Sequence, residues 1–199
     1  MNSAPPAAPA ARPAPAGQEK VMILRVFSLV LVLLSAAGGV LAQQQTPAPT
    51  PRRELYEVLA VGDRIFEPDI WLAGGQEYRD RTFAFWTAEE FGGISQAELL
   101  RSEAPVTPQD IPAAFNNAWF TEAFRAYESW TLTGQCSDDN ATLYEFELVL
   151  EDTAYLVRYW AQAVSPQRVL TFQLLFPAQQ RSRLDVYSAR YRPSLPACL

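Results

Sequence analysis

Three runs decide the reading of this chain: LYEFELVL at 143–150, AYLVRYWAQA at 154–163 and VLTFQLLF at 169–176. Each is dense in β-branched, aromatic and other apolar residues. Two short polar breaks, Glu151-Asp152 and Ser165-Pro166-Gln167-Arg168, separate them. Connections this short join antiparallel neighbours, so residues 143–176 predict a three-stranded meander. Alternation then assigns faces. Tyr144, Phe146, Leu148 and Leu150 share one side of the first strand, with Glu145 and Glu147 on the other. In the second, Tyr155, Val157 and Tyr159 oppose Leu156, Arg158 and Trp160, as in a central strand partly covered twice. Leu170, Phe172, Leu174 and Phe176 turn one face of the third toward the core, and Pro177 ends it.

Such a sheet needs a cover, and the segment upstream supplies it. Thr107-Pro108-Gln109-Asp110 offers a cap, a first-turn proline and an acid at the positive end of the dipole. From Ile111 the apolar positions run Phe115, Trp119, Ala123, Ala126 and Trp130, widened by Phe120, Phe124 and Tyr127. The spacing predicts one long core-facing helix across the meander, with Phe115 and Trp119 close to Phe172 and Leu174. The alternative for the same stripe is an aromatic platform for a ligand. A short strand is expected to begin near Gly134.

Further upstream, residues 55–61 (LYEVLAV) read as a first strand closed by Gly62-Asp63, and 65–72 (IFEPDIWL) as a second that Pro68 demotes to an edge or a bend. Gly74-Gly75 reads as a break. RTFAFWT at 81–87 alternates and is a strand, whereas 94–101 fits a short helix or a strand. Thr87-x-x-Glu90, Ser95-x-x-Glu98 and Ser182-Arg183-Leu184-Asp185 match the capping box. The third opens a short helix with Leu184, Tyr187 and Tyr191 on one side, stopped by Pro193. The fold class is therefore α+β: an antiparallel meander sheet packed against one long helix and short helices.

The first fifty residues read differently. Residues 1–17 are Pro/Ala-rich without apolar periodicity. Lys20 and Arg25 precede the apolar run VFSLVLVLL, the small residues SAAGG and Val40-Leu41-Ala42, which is the pattern of a signal peptide cut after Ala42. Translation starts at Met1 or at Met22. The alternative is an uncleaved anchor through residues 26–42, somewhat shorter than the ~20 apolar residues a spanning helix needs. Residues 1–42 are thus an extension and signal peptide, 43–53 (QQQTPAPTPRR) a Pro/Gln-rich linker, and 54–199 one globular domain.

Lys20 is the only lysine. After Ala42 the chain carries thirteen arginines against twenty-one carboxylates, a net −8. An acidic surface without basic clusters argues against nucleic acid and, once the signal is removed, against anionic membranes. Cys136 and Cys198 are the only cysteines, and in an exported chain an even count implies a disulfide. It would staple the C-terminal tail to the loop after the main helix. Without a C-x-x-C motif the pair reads as structural.

The residue inventory excludes much chemistry. With no histidine there is no Ser-His or Cys-His nucleophile pair, and two thiols alone make no zinc site. No phosphate-binding glycine loop is present, and no lysine follows Lys20 for a Schiff base. No cofactor is expected. Carboxylates remain: Glu145 and Glu147 on one strand face could act as an acid pair on a glycoside, but a solvated outer face with Arg158 as cross-strand partner accounts for them better. Asp138-Asp139-Asn140 lacks the spacing of a calcium loop and reads as a polar turn. Asn140-Ala141-Thr142 matches the glycosylation sequon.

The order of elements resembles the PsbP-like superfamily: strands, a helix with an aromatic end (FNNAWFTEAFRAYESW), a meander (LYEFELVL, AYLVRYW, VLTFQLLFP) and a final helix (RLDVYSARYRP). The resemblance spans roughly residues 71–193 and rests on element order rather than a signature motif. It implies an antiparallel sheet covered by helices, in a domain that works by binding proteins or ligands; no site residue carries over. The expectation is an exported, non-catalytic binding or accessory module for a protein or small ligand. The alternatives are a carboxylate-based extracytoplasmic hydrolase and a membrane-anchored envelope protein.

Overall fold

A computed structural model describes residues 53–194 and residue 198. The signal peptide, the cut after Ala42, the alternative anchor at 26–42 and the linker up to residue 52 lie outside the described residues. The fold is α+β, a seven-stranded antiparallel sheet with helices packed on it and one disulfide.

Helix α1 (Arg53–Gly62) leads into strands β1 (Leu72–Glu77), β2 (Arg81–Ala88) and β3 (Gly93–Arg101). Two short helices follow, α2 (Ile111–Ala114) and α3 (Asn117–Ala123). Strands β4 (Ser129–Ser137), β5 (Thr142–Leu150), β6 (Thr153–Ser165) and β7 (Arg168–Pro177) come next, then α4 (Arg181–Tyr191). The strand order is β1-β2-β3-β7-β6-β5-β4, every pairing antiparallel. The meander of residues 143–176 is thus β5-β6-β7, at the predicted positions.

The sheet carries a core on each face. Phe172, Leu174, Phe176, Trp160 and Leu143 face α1 and α4, where Val58, Leu184 and Tyr187 meet them. Tyr144, Phe146, Leu148, Val157, Tyr159 and Leu175 face the helical segment of Ile111, Phe115, Phe120 and Phe124. Strand parity explains the split, because Tyr144 pairs with Tyr159, and Tyr159 with Gln173, not with an apolar position of β7. Phe115 and Trp119 therefore lie on the opposite side of the sheet from Phe172 and Leu174, not against them as predicted. Each fully buried aromatic or leucine side chain contributes about 1.5–3 kcal/mol, so both faces count.

Three element assignments are corrected. Residues 55–61 are helical, because Leu55, Val58, Leu59 and Gly62 recur at helical spacing and Val58 is buried against the sheet. Gly62 lets α1 approach: a Cβ there would lie 2.1 Å from the Trp86 ring. Residues 65–71 form turns rather than a strand, with Trp71 N–H donating to Glu67 O at 2.9 Å. Ile65, Phe66 and Trp71 are plugs in the core, with the Phe66 and Trp71 ring centroids 4.3 Å apart, while Ile70 is exposed. The long helix at 111–130 is divided. Asn116 adopts an extended backbone, and its Oδ1 accepts from the N–H groups of Ala118 (2.9 Å) and Trp119 (3.3 Å), starting a new helix. At Ser129 the chain enters β4, pairing Trp130 with Leu148.

Gly74-Gly75, read as a break, lies inside edge strand β1, and 94–101 falls within β3. Thr87 and Ser95 are strand residues, and α4 opens at Arg181 with no side-chain cap, so none of those three capping boxes forms. The cap at Thr107 does form, with Thr107 N–H donating to Asp110 Oδ2 at 2.9 Å.

Candidate functional site

A bulge in β4 organises the site. Pairing shifts between Leu132 and Gly134, leaving Thr133 as the extra residue. One added residue reverses strand parity. Trp130 and Leu132 accordingly face α3, while Gly134 and Cys136 turn to the other face beside Glu145 and Leu143, and Gln135 returns to the α3 side opposite Tyr144.

On the α3 side, a cavity of about 320 Å³ opens between the α2–α3 segment and strands β4 and β5. Pro112, Phe115, Ala118, Phe120 and Leu132 form its apolar lining. Aromatic packing fixes this wall: Phe120 lies with ring centroids 4.9 Å from Tyr144, 4.6 Å from Phe146 and 5.4 Å from Tyr159, and Phe115 lies 4.9 Å from Trp119. Trp119 is half-buried and packs edge-on against Phe115. The polar lining is Asn116, Asn117, Gln135 and Tyr144, and no lining residue is charged. Asn116 is committed to capping α3 and to Ala113 O. Tyr144 is 2% exposed and its hydroxyl has no hydrogen-bond partner. Burial pushes that phenol up to about 12, so it stays protonated at neutral pH.

A second cavity of about 280 Å³ lies between α1 and the sheet, lined by Val58, Val61, Leu99, Val164 and Leu170. Arg168 Nη2 donates to Glu57 Oε2 at 3.0 Å, spanning that cavity with an ion pair.

The candidate acid pair does not converge. Glu147 is exposed, whereas Glu145 is enclosed. Arg158 Nε donates to Glu145 Oε1 at 2.7 Å, and Arg158 Nη2 forms an ion pair with Asp185 Oδ1 of α4 at 2.8 Å. The cross-strand partner is the predicted one, but the face is solvated only at Glu147: beside Glu145, Arg158 is 3% exposed beneath α4. Glu98 is held above its usual range by burial, against the pull of Arg81 at 3.7 Å. Its hydrogen-bond donor is Gln96, at 3.1 Å, not a second acid. Asp138 closes a turn, accepting from the N–H groups of Asn140 (2.8 Å) and Ala141 (2.9 Å) and from Arg192 and Ser194 of the tail. No group of three acids or thiols able to hold a metal occurs among the described residues.

Cys136 and Cys198 are bonded, with Cα atoms 5.4 Å apart. Cys198 N–H donates to Glu145 Oε2 at 2.9 Å, so the disulfide sets the tail down on the buried ion pair. Gly134 makes room for it: a Cβ there would sit 2.9 Å from Cys198 Cβ.

Of these features, the sequence pattern carried the cysteines and the Glu145–Arg158 pairing but not the cavity. The Asn116-Asn117 doublet as an internal cap and the alternation of Trp130-Thr131-Leu132 as a strand mark the breaks in the helical segment that frame it, but neither shows a cavity. No family model matches the chain, and no curated protein matches it in sequence.

Proposed function

We propose that the domain is a non-catalytic binding module working outside the cytoplasm, which takes a small ligand between the α2–α3 segment and the sheet. The observation that carries this reading is the open cavity of about 320 Å³ with an apolar, uncharged lining. Small-molecule sites are concave and mostly apolar, with a few placed polar groups. The Cys136–Cys198 disulfide supports the compartment, since such bonds persist where the surroundings are oxidising. Among the described residues no helix is long and apolar enough to cross a membrane. The PsbP-like resemblance, with its binding rather than catalytic domains, points the same way.

The test is a fragment screen followed by amide chemical-shift mapping on the oxidised protein. Hits should perturb Ala118, Leu132 and Gln135, and Ala118→Trp, which fills the mouth, should weaken them at least tenfold. Binding mapped elsewhere and untouched by Ala118→Trp would remove the cavity from the account.

A further inference from the structure

We infer that the cavity selects a neutral, mainly apolar ligand bearing a hydrogen-bond acceptor such as a carbonyl oxygen, and that Tyr144 is the residue that reads that acceptor. The inference rests on the binding reading above and specifies its ligand class.

A buried hydroxyl without a partner is a cost to the fold, of the order of 1–3 kcal/mol. Native structures leave few such groups, and each calls for a reason. Tyr144 is one of them, and its residue is part of the cavity wall. Phe120 and Phe146 on its ring have no polar group to offer, and Tyr159, with ring centroids 6.5 Å away, makes no hydrogen bond to it. Gln135 stands opposite Tyr144 across the β4–β5 ladder, exposed, with no hydrogen bond to its side chain among the described residues. Gln135 also lines the cavity, and turning its side chain aside breaks no hydrogen bond among the described residues.

The chemistry of the ligand follows from the lining. An ion would enter a wall with no opposite charge, and unpaired charge in apolar surroundings is strongly unfavourable. The phenol remains a donor at physiological pH and so asks for an acceptor. The volume equals that of about ten liquid water molecules, the size of a single ring with a short substituent.

Acetophenone, α-methylstyrene and benzoate provide the probes. The first two share a shape and differ in a carbonyl oxygen against a methylene, and the third adds charge. A merely greasy cavity prefers the hydrocarbon, which gains more by leaving water. Titrations followed by amide shifts should show acetophenone binding at least tenfold tighter than α-methylstyrene, and benzoate not at all. Tyr144→Phe should reverse the order of the first two while keeping or raising the melting temperature, because the lost hydroxyl had no partner. If the hydrocarbon binds tighter to both proteins, the role of Tyr144 is overturned and the cavity survives as a site. If benzoate binds as well as acetophenone, neutrality is overturned. If no probe perturbs Ala118, Leu132 or Gln135, the inference fails together with the cavity reading.

Discussion

Arg158 and Glu145 meet at 2.7 Å across the β5–β6 ladder, sealed under the C-terminal tail. The arginine is 3% exposed, and two carboxylates make its burial tolerable, Glu145 on Nε and Asp185 at 2.8 Å from Nη2. Removing the sole partner of a buried charge costs about 3–5 kcal/mol. Glu145→Ala leaves Asp185 in place, so it should destabilise by about 2–3 kcal/mol in urea denaturation, and the double variant Glu145→Ala/Asp185→Ala by more. Glu147→Ala, two residues along the same face but exposed, should stay within about 0.5 kcal/mol. Equal effects would mean the tail does not enclose the pair.

The disulfide joins residues 62 positions apart. On the chain-entropy account, closing such a loop stabilises by about 4 kcal/mol. The double variant Cys136→Ser/Cys198→Ser should melt lower than the oxidised protein, and reductant should lower the melting temperature of the native chain while leaving the variant unmoved.

Acid and neutral pH should separate two classes of carboxylate. Burial opposes ionisation of Glu67 and Asp138, but hydrogen bonds outweigh it: to Glu67 from Arg190 and Tyr187, to Asp138 from the Asn140 amide, Arg192 and the Ala141 amide. Both are held below their usual values. Their contribution is complete above the unfolded pKa values near 4.5 and 3.8 and is lost as pH falls through the lower folded ones. Glu98 has the opposite sign, since burial raises its carboxyl and its ionisation weakens the fold at neutral pH. Denaturant curves from pH 7 to pH 3 should show Glu98→Gln more stable than the parent at pH 7, with the advantage gone in acid. Glu67→Gln should be less stable at pH 7 and flatten the acid limb.

The turn between β5 and β6 places Glu151 at φ 50° and Asp152 at φ 61°, both left-handed. Side chains with a Cβ resist that region by roughly 1–2 kcal/mol per residue, and Asn-Gly suits a two-residue hairpin of this hand. Glu151→Asn/Asp152→Gly should raise stability by about 1 kcal/mol in urea denaturation. No gain would indicate that the Glu151 amide, which donates to Glu128 Oε1 at 2.9 Å, fixes the turn by itself.

Alternation carried β2 and the meander β5–β7, but not β1 or the start of β4. RTFAFWT and the meander repeat every second residue over lengths no helix tolerates, so their assignment needed no tertiary information. What pattern could not supply was which buried face met which cover. Tyr144 and Phe172 both read as core, and only the register through Tyr159 to Gln173 puts them on opposite sides. The helix at 55–61 was hidden because LYEVLAV satisfies both periods, and burial of Val58 by the sheet settles it. The cavity was out of reach for a similar reason: it depends on the Asn116 cap and the β4 bulge, each a one-residue event that a window of periodicity averages away.

The position of β7 decides what joins the two halves of the sheet. β1–β3 and β4–β6 are each continuous meanders, and β7, the last of the described strands in chain order, is hydrogen-bonded to both. Without residues 168–177 the two blocks share no backbone ladder. One strand therefore acts as the keystone of the whole layer, and its pairing with β3, between segments far apart in the chain, is the long-range step that sets the pace of folding.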